Sequence, residues 1–224
     1  MQARSSTAYV GTAYLPVRIN GETSQLRDES PVSTSASSTY HHSDLRSALL
    51  STAMAMLERG EPFSLRAVAR ATGVSPTAPY RHFADRDALE SALAAEGLRQ
   101  LKAELLQAGG TPTTVAELAE FAVAYVDFAL RRPALFRLMF DNPCDNSEAD
   151  RVSAADDIHR LLAGAVSGVF PNRDPAAIAV AGWGLVHGLA CLHLAGKLTS
   201  SSSDDVADQV RASFLAAFGT HADS

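Results

Sequence analysis

Residues 63–89 read FSLRAVARATGVSPTAPYRHFADRDAL, and their punctuation decides the fold. Ser64 is an N-cap residue, and Leu65, Val68 and Ala69 follow it at helical spacing. Gly73 sits where a helix stops and turns, because glycine enters the left-handed region at little cost. Val74 is placed to plug the core from that turn. Ser75 then caps a second short helix, with Pro76 at its first position, where a missing N–H is no loss. That helix carries Thr77, Tyr80, Arg81 and His82, groups that reach phosphates and base edges, and Phe83 ends it as an apolar anchor. A short second helix displaying hydroxyls, an arginine and a histidine has the chemistry of a recognition helix.

Outward from this stretch, a supporting helix precedes it over 44–59, with Leu45, Leu49, Ala53, Met56 and Leu57 on one face. Asp44 or Ser43 caps it, and Gly60 stops it. After it, Asp85 caps a long helix over 85–107, roughly 33 Å at 1.5 Å per residue. Leu89, Leu93, Leu98, Leu101 and Leu105 form its core face, and Gly109-Gly110-Thr111-Pro112 ends it. The three-helix unit is small, so it is expected to pack on the larger domain that follows.

At these residues the sequence resembles the TetR family of bacterial transcriptional regulators. The resemblance rests on Leu65-x-x-Val68-Ala69, Gly73-Val74-Ser75, Tyr80-x-His82-Phe83 and Asp85-Arg86-Asp87-x-Leu89, together with the preceding helix. A second resemblance lies downstream. Residues 133–140, PALFRLMF, and Trp183…His187-Gly188 are similar to the regulatory domain of the subgroup that carries a Trp…His-Gly motif. The resemblance implies phosphate clamps at Tyr80 and His82. Pro79 stands where the family usually has leucine. As a fourth helical residue it removes the first intrahelical hydrogen bond and pushes Ala78 away from α geometry, so an irregular first turn is expected. Arg86 stands where lysine is more usual; either cation reaches a phosphate.

The candidate DNA-contacting set is Ser64, Ser75, Thr77, Ala78, Tyr80, Arg81, His82 and Arg86. Arg81 is suited to a guanine edge or a phosphate, and Thr77 and Ala78 to a thymine methyl or a base edge.

Downstream, Thr114 and Glu117 make a capping box, and Leu118, Phe121, Ala122, Tyr125, Phe128 and Ala129 follow. Pro133 opens a helix holding Leu135, Phe136, Leu138, Met139 and Phe140. Further helices are expected over 147–170, over 176–197 with Asp174 as cap, and from a cap at Ser203 or Asp204 to a stop at Gly219. Phe121, Tyr125, Phe136, Met139, Phe140, Trp183 and His187 are candidate pocket residues; aromatics so placed are core, pocket or both. Residues 176–197 are apolar nearly all round, so burial on most sides is expected. Surplus apolar surface on the last two helices suggests a two-fold four-helix interface in a homodimer.

Composition narrows the classes. The 224 residues suit one long or two small domains, and 46% apolar residues supply a sizeable core. A net charge of −6 argues against non-specific coating of nucleic acid but not against a local reading patch. Cys144 and Cys191 lack metal-site spacing and read as reduced cytoplasmic thiols. His41-His42 reads as a solvated pair, and the acidic residues Asp141, Asp145, Glu148 and Asp150 lack a calcium-loop spacing. No cofactor, metal site or catalytic set is expected: His187, Cys191 and His193 share one helix without an orienting acid. No run is judged to approach the ~20 apolar residues of a membrane helix.

The expected architecture is all-α, with about nine helices. Residues 1–43 form a disordered arm, 44–90 a helix-turn-helix DNA-binding domain, 91–219 a helical ligand-binding and dimerisation domain, and 220–224 a tail. The expected partners are a double-stranded DNA operator, a small-molecule effector and a second copy of the chain. The function implied by the resemblance is a homodimeric, ligand-responsive, cytoplasmic repressor. The alternative reading is a helical small-molecule-binding protein or enzyme whose helix-turn-helix likeness is incidental.

Overall fold

In the computed structural model, residues 36–141 and 149–219 are described, with side chains over 44–140 and 149–219. These residues form eight α-helices and one 3-10 turn, with no strand among them: α1 (Ala36–Glu58), α2 (Leu65–Thr72), the turn Ala78–Arg81, α3 (Arg86–Gly109), α4 (Val115–Arg131), α5 (Pro133–Asp141), α6 (Ala149–Val169), α7 (Pro175–Leu194) and α8 (Ser203–Phe218).

Local chemistry sets most of the boundaries. Ser64 Oγ accepts the Ala67 N–H at 3.2 Å and starts α2. Asp85 accepts from the Ala88 N–H at 2.9 Å and starts α3. Thr114 and Glu117 complete the reciprocal capping box of α4. Asp174 accepts from Ala176 and Ala177, with Pro175 at the first position of α7. Two helix starts differ from expectation, and α7 ends at Leu194, three residues short of its expected end. Helix α1 begins at Ala36, eight residues before the expected start. The cap of α8 is Ser202, whose Oγ accepts from Asp205 at 3.1 Å while the Asp205 carboxylate takes the Ser201 N–H at 2.9 Å. The expected acidic loop, Cys144, the residues before Ala36 and the tail after Gly219 lie outside the described residues, as do the His41 and His42 side chains.

The core is continuous from the small N-terminal helices into the larger bundle. Leu49 and Ala53 of α1, Val68 of α2, Leu89 and Leu93 of α3, Phe128 of α4 and Leu135 of α5 are all fully buried. Helix α3 packs on α4, α5 and α6, and α4 packs on α7 and α8. At Gly97, α3 and α5 approach closely: an added Cβ would lie 2.6 Å from Met139 Sδ. Ion pairs also tie helices together, three of them from α3 and α8. Lys102 of α3 meets Asp157 of α6 at 2.7 Å, Arg99 of α3 meets Asp150 of α6, and Arg211 of α8 meets Glu120 of α4 at 2.7 Å.

Helix α7 departs from two expectations. Only Ile178, Val186 and Ala190 are buried, whereas the sequence pattern demanded burial on most sides. At 20 residues and mean hydropathy 1.6, α7 also matches a membrane span in length and composition, contrary to the reading of the chain as lacking such a run. Its packing against α4, α6 and α8 is that of a helix within a bundle. Its outward face nevertheless stays apolar, with Val180 49% and Leu192 44% exposed.

Candidate functional site

The helix-turn-helix stretch is built as a scaffold with an outward edge. Leu65, Val68 and Ala69 anchor α2 in the core. Gly73 closes it at φ +78°, a left-handed conformation in which a side chain would be strained. The Val74 N–H returns to the Ala69 carbonyl at 3.0 Å, turning the chain so that Val74 leans into the core. Phe83 is buried at the far end, under the Arg46 guanidinium of α1 at 5.4 Å from its ring centroid.

Between these anchors the expected second helix is a single 3-10 turn, Ala78–Arg81. Pro79 accounts for this. It brings no N–H, so the Ser75 carbonyl is taken instead by Ala78 at 3.0 Å, a three-residue reach. His82 N–H and Phe83 N–H both converge on the Pro79 carbonyl at 2.9 Å. The Pro79 ring is itself fully buried and pins the turn to the core. Ser75 does not cap the turn; its hydroxyl lies 3.3 Å from that of Thr77.

Ser64, Ser75, Thr77, Tyr80, Arg81 and Arg86 are exposed, whereas Ala78 and His82 are half-buried. The 3-10 turn therefore brings Thr77, Tyr80 and Arg81 onto one short outward edge. His82 leans on Phe83, with ring centroids 6.4 Å apart. Ser64 is occupied as the α2 cap. Arg86 pairs through Nε with Glu90 at 2.7 Å and lies 5.4 Å from the Phe63 ring centroid, which leaves its terminal N–H groups to meet a phosphate. Arg66 and Arg70, one turn apart on α2, were missed in the sequence reading. Both are exposed and carry no ion pair among the described residues. Their signal was present as i, i+4 cations opposite the buried Leu65–Val68–Ala69 face.

The larger bundle holds an apolar cavity of about 50 Å³ between α3, α4, α6, α7 and α8. Of the candidate pocket residues, Phe121, Tyr125 and Trp183 line it. Phe136, Phe140 and His187 line a separate hollow of about 220 Å³ between α5 and α7, together with Arg137 and Cys191. Met139 lines neither; it packs on Gly97, and its carbonyl accepts from the buried Arg151 at 3.0 Å.

A hydrogen-bonded relay forms the wall between the two spaces. Trp183 Nε1–H donates to the Tyr125 hydroxyl at 3.3 Å, and that hydroxyl lies 2.9 Å from His187 Nδ1. Indole is a donor only, so the phenol accepts there, and its second contact, to His187 Nδ1, suits either ring tautomer. Burial pushes the Tyr125 phenol above its ordinary value, so it stays protonated. Aromatic rings surround the relay: Phe136 stacks on His187 at 5.3 Å, and Phe140 meets His187 edge-on at 5.0 Å.

Comparison with known proteins agrees with this architecture. Residues 118–217 match the family model described as the tetracyclin repressor-like C-terminal domain. The chain is 34% identical over 126 residues to a protein of Haemophilus influenzae named an uncharacterized HTH-type transcriptional regulator. That match covers 52% of this chain and 59% of the relative, so the chain spans about three fifths of the length of the curated relative it matches. A solved structure from Rhodococcus sp. RHA1, titled a protein with unknown function, is 32% identical. It superposes with a TM-score of 0.69 over 81% of this chain and 98% of its own. A TetR/AcrR-family transcriptional regulator from Thermobifida fusca shares the fold, with a TM-score of 0.63 at 14% identity over 79% of this chain and 100% of its own. Helix order, capping pattern and relatives agree, and the chain belongs to the TetR family.

Proposed function

We propose that this chain is a homodimeric, ligand-responsive transcriptional regulator, a repressor, that reads a palindromic double-stranded DNA operator in the cytoplasm. The observation that carries the reading is the outward edge of Thr77, Tyr80 and Arg81, with Arg66 and Arg70 exposed on α2. Arg81 reads a base edge or a phosphate from the turn, and Tyr80 and the two α2 arginines hold phosphates. Phosphate contacts set register, and the few groups on the turn carry the sequence information.

Dimerisation is supported by α7. An apolar helix face with Val180 and Leu192 exposed favours burial against its own copy, which generates a two-fold axis. Two readers related by that axis match a palindromic site with half-sites a whole number of turns apart. The larger domain is read as a binding module rather than a catalytic one. The partner of His187 Nδ1 is a tyrosine hydroxyl rather than an orienting carboxylate, and the relay consumes its own polar groups. An effector acts here only if it binds one spacing of the readers more tightly than the other.

Selection of bound fragments from the source genome with purified protein tests the reading. The expected result is enrichment of a few fragments sharing a palindrome, lost with Arg81→Ala. Retention of fragments at random would overturn it.

A further inference from the structure

We propose that the cavity between α4, α6, α7 and α8 takes a neutral, apolar effector and rejects charged relatives of the same shape. This rests on the reading of the larger domain as ligand-responsive and names the chemical class that the domain accepts.

The lining carries the argument. Leu118, Phe121, Ile178, Phe214 and Phe218 present only carbon, and every other lining residue is also apolar apart from two polar atoms. Those two are the Tyr125 hydroxyl and Trp183 Nε1, and each is already spent on the other or on His187. His187 lies on the far side of the relay, in the wall of the second hollow. Glu120 of α4 and Arg211 of α8, charges outside the lining, satisfy each other at 2.7 Å. A carboxylate or ammonium entering this space therefore finds no partner and pays its full desolvation cost. An uncharged hydrocarbon or aromatic molecule pays none and gains contact with the surrounding rings.

Size points to the moving part. About 50 Å³ is smaller than the ~300 Å³ of an ordinary ligand pocket, so the effector enters by displacing side chains. Phe214 and Phe218 belong to α8, and their rings pack tilted against each other with centroids 4.8 Å apart. Gly182 faces them: an added Cβ would meet Phe214 and Phe218 at 3.9 and 4.0 Å, ordinary contact distance. A larger side chain there extends into the cavity.

The protein supplies its own reporter, because Trp183 is the chain's single tryptophan and lines the cavity. Three probes of one shape, tert-butylbenzene, 4-tert-butylbenzoate and 4-tert-butylbenzylammonium, are titrated into the full chain with excitation of Trp183. The expected result is a saturable change in Trp183 emission for the neutral probe, at least tenfold tighter than for either ion, and a raised melting temperature. Gly182→Val is expected to weaken the neutral probe at least tenfold, while Gly182→Ala, which adds only the tolerated Cβ, retains it. Equal or tighter binding of either ion, no saturable response to the neutral probe, or indifference to Gly182→Val with Gly182→Ala behaving alike overturns the proposal. DNA binding measured in parallel separates the two readings. Neutral-probe binding that leaves DNA affinity unchanged removes the regulatory reading and keeps the cavity assignment. Release of DNA by an ion alone keeps regulation and removes the assignment.

Discussion

Arg132 Nε donates to Glu58 Oε1 at 2.6 Å, and this contact joins the last residue of α1 to the corner between α4 and α5. Arg132 also donates to Gln100 of α3 and lies 5.8 Å from the Phe128 ring centroid. The corner it occupies is continuous with the two helices that carry Tyr125, Phe136 and Phe140. A rearrangement of that aromatic cluster is therefore expected to pull on α1, which packs with α2 and the 3-10 turn in one core. Arg132→Ala is expected to cost about 1–2 kcal/mol of stability, because a half-buried charged hydrogen bond and its packing are lost. It is also expected to reduce the effect of a bound ligand on DNA affinity while leaving DNA binding by the free protein intact. Urea denaturation and anisotropy with and without ligand read the two effects separately.

Gly73 tests the turn. Its φ of +78° is the strained region for an L side chain, yet nothing lies within 4 Å of an added Cβ. The cost of Gly73→Ala is thus backbone conformation alone, about 1–2 kcal/mol, and Gly73→Asn is expected to cost less. Equal midpoints for all three proteins in urea would contradict this account of the turn.

Removal of one oxygen tests the relay. Tyr125→Phe removes the hydroxyl shared by the Trp183 N–H and His187 Nδ1 in a half-buried wall. A loss of about 1–3 kcal/mol is expected, together with a shift in Trp183 emission. An unshifted spectrum and an unchanged denaturation midpoint would show that the relay is not formed in solution.

Acid stability follows from the carboxylates. The Arg211 guanidinium holds the Glu120 carboxyl below its ordinary value, backbone and side-chain donation from Thr113 does so for Glu117, and Lys102 and Arg160 do so for Asp157. A group whose folded value is depressed stabilises the fold fully above its unfolded value. That contribution is lost as pH falls through the folded value. These contributions are expected to be constant from neutrality to about pH 5 and to decline below about pH 4. Glu120→Gln is expected to flatten the acid limb slightly, as measured by melting temperature against pH. A decline beginning near pH 6 would point to histidines instead.

What the sequence made legible was local. Ser64, Asp85, the Thr114–Glu117 pair and Asp174 announced their helices because a cap needs only the next three residues. The α8 cap was misplaced because Ser202 sits in a run of serines, and only the back-bond from Asp205 selects it. The proline effect at residue 79 was readable as an irregularity, but the extent of it, a whole helix reduced to one 3-10 turn, depended on the Pro79 ring being drawn into the core. Arg132 and Glu58 are 74 positions apart, and Trp183 and Tyr125 are 58 apart. Neither contact leaves a trace in periodicity. The exposure of α7 was likewise hidden, since an all-apolar pattern does not say whether the chain itself or a partner covers it.

The central claim is that the Thr77–Tyr80–Arg81 edge reads DNA. Fluorescence anisotropy of the purified protein on the DNA flanking its own gene, at two salt concentrations and against random DNA, tests it most directly. The account predicts specific binding that Arg81→Ala weakens by ~1–3 kcal/mol, with a smaller loss on random DNA. Arg66→Ala and Arg70→Ala are predicted to weaken both DNAs alike and to lower the salt slope by about one each. Equal affinity of wild type and Arg81→Ala for the flanking DNA, at a level no tighter than for random DNA, would contradict it.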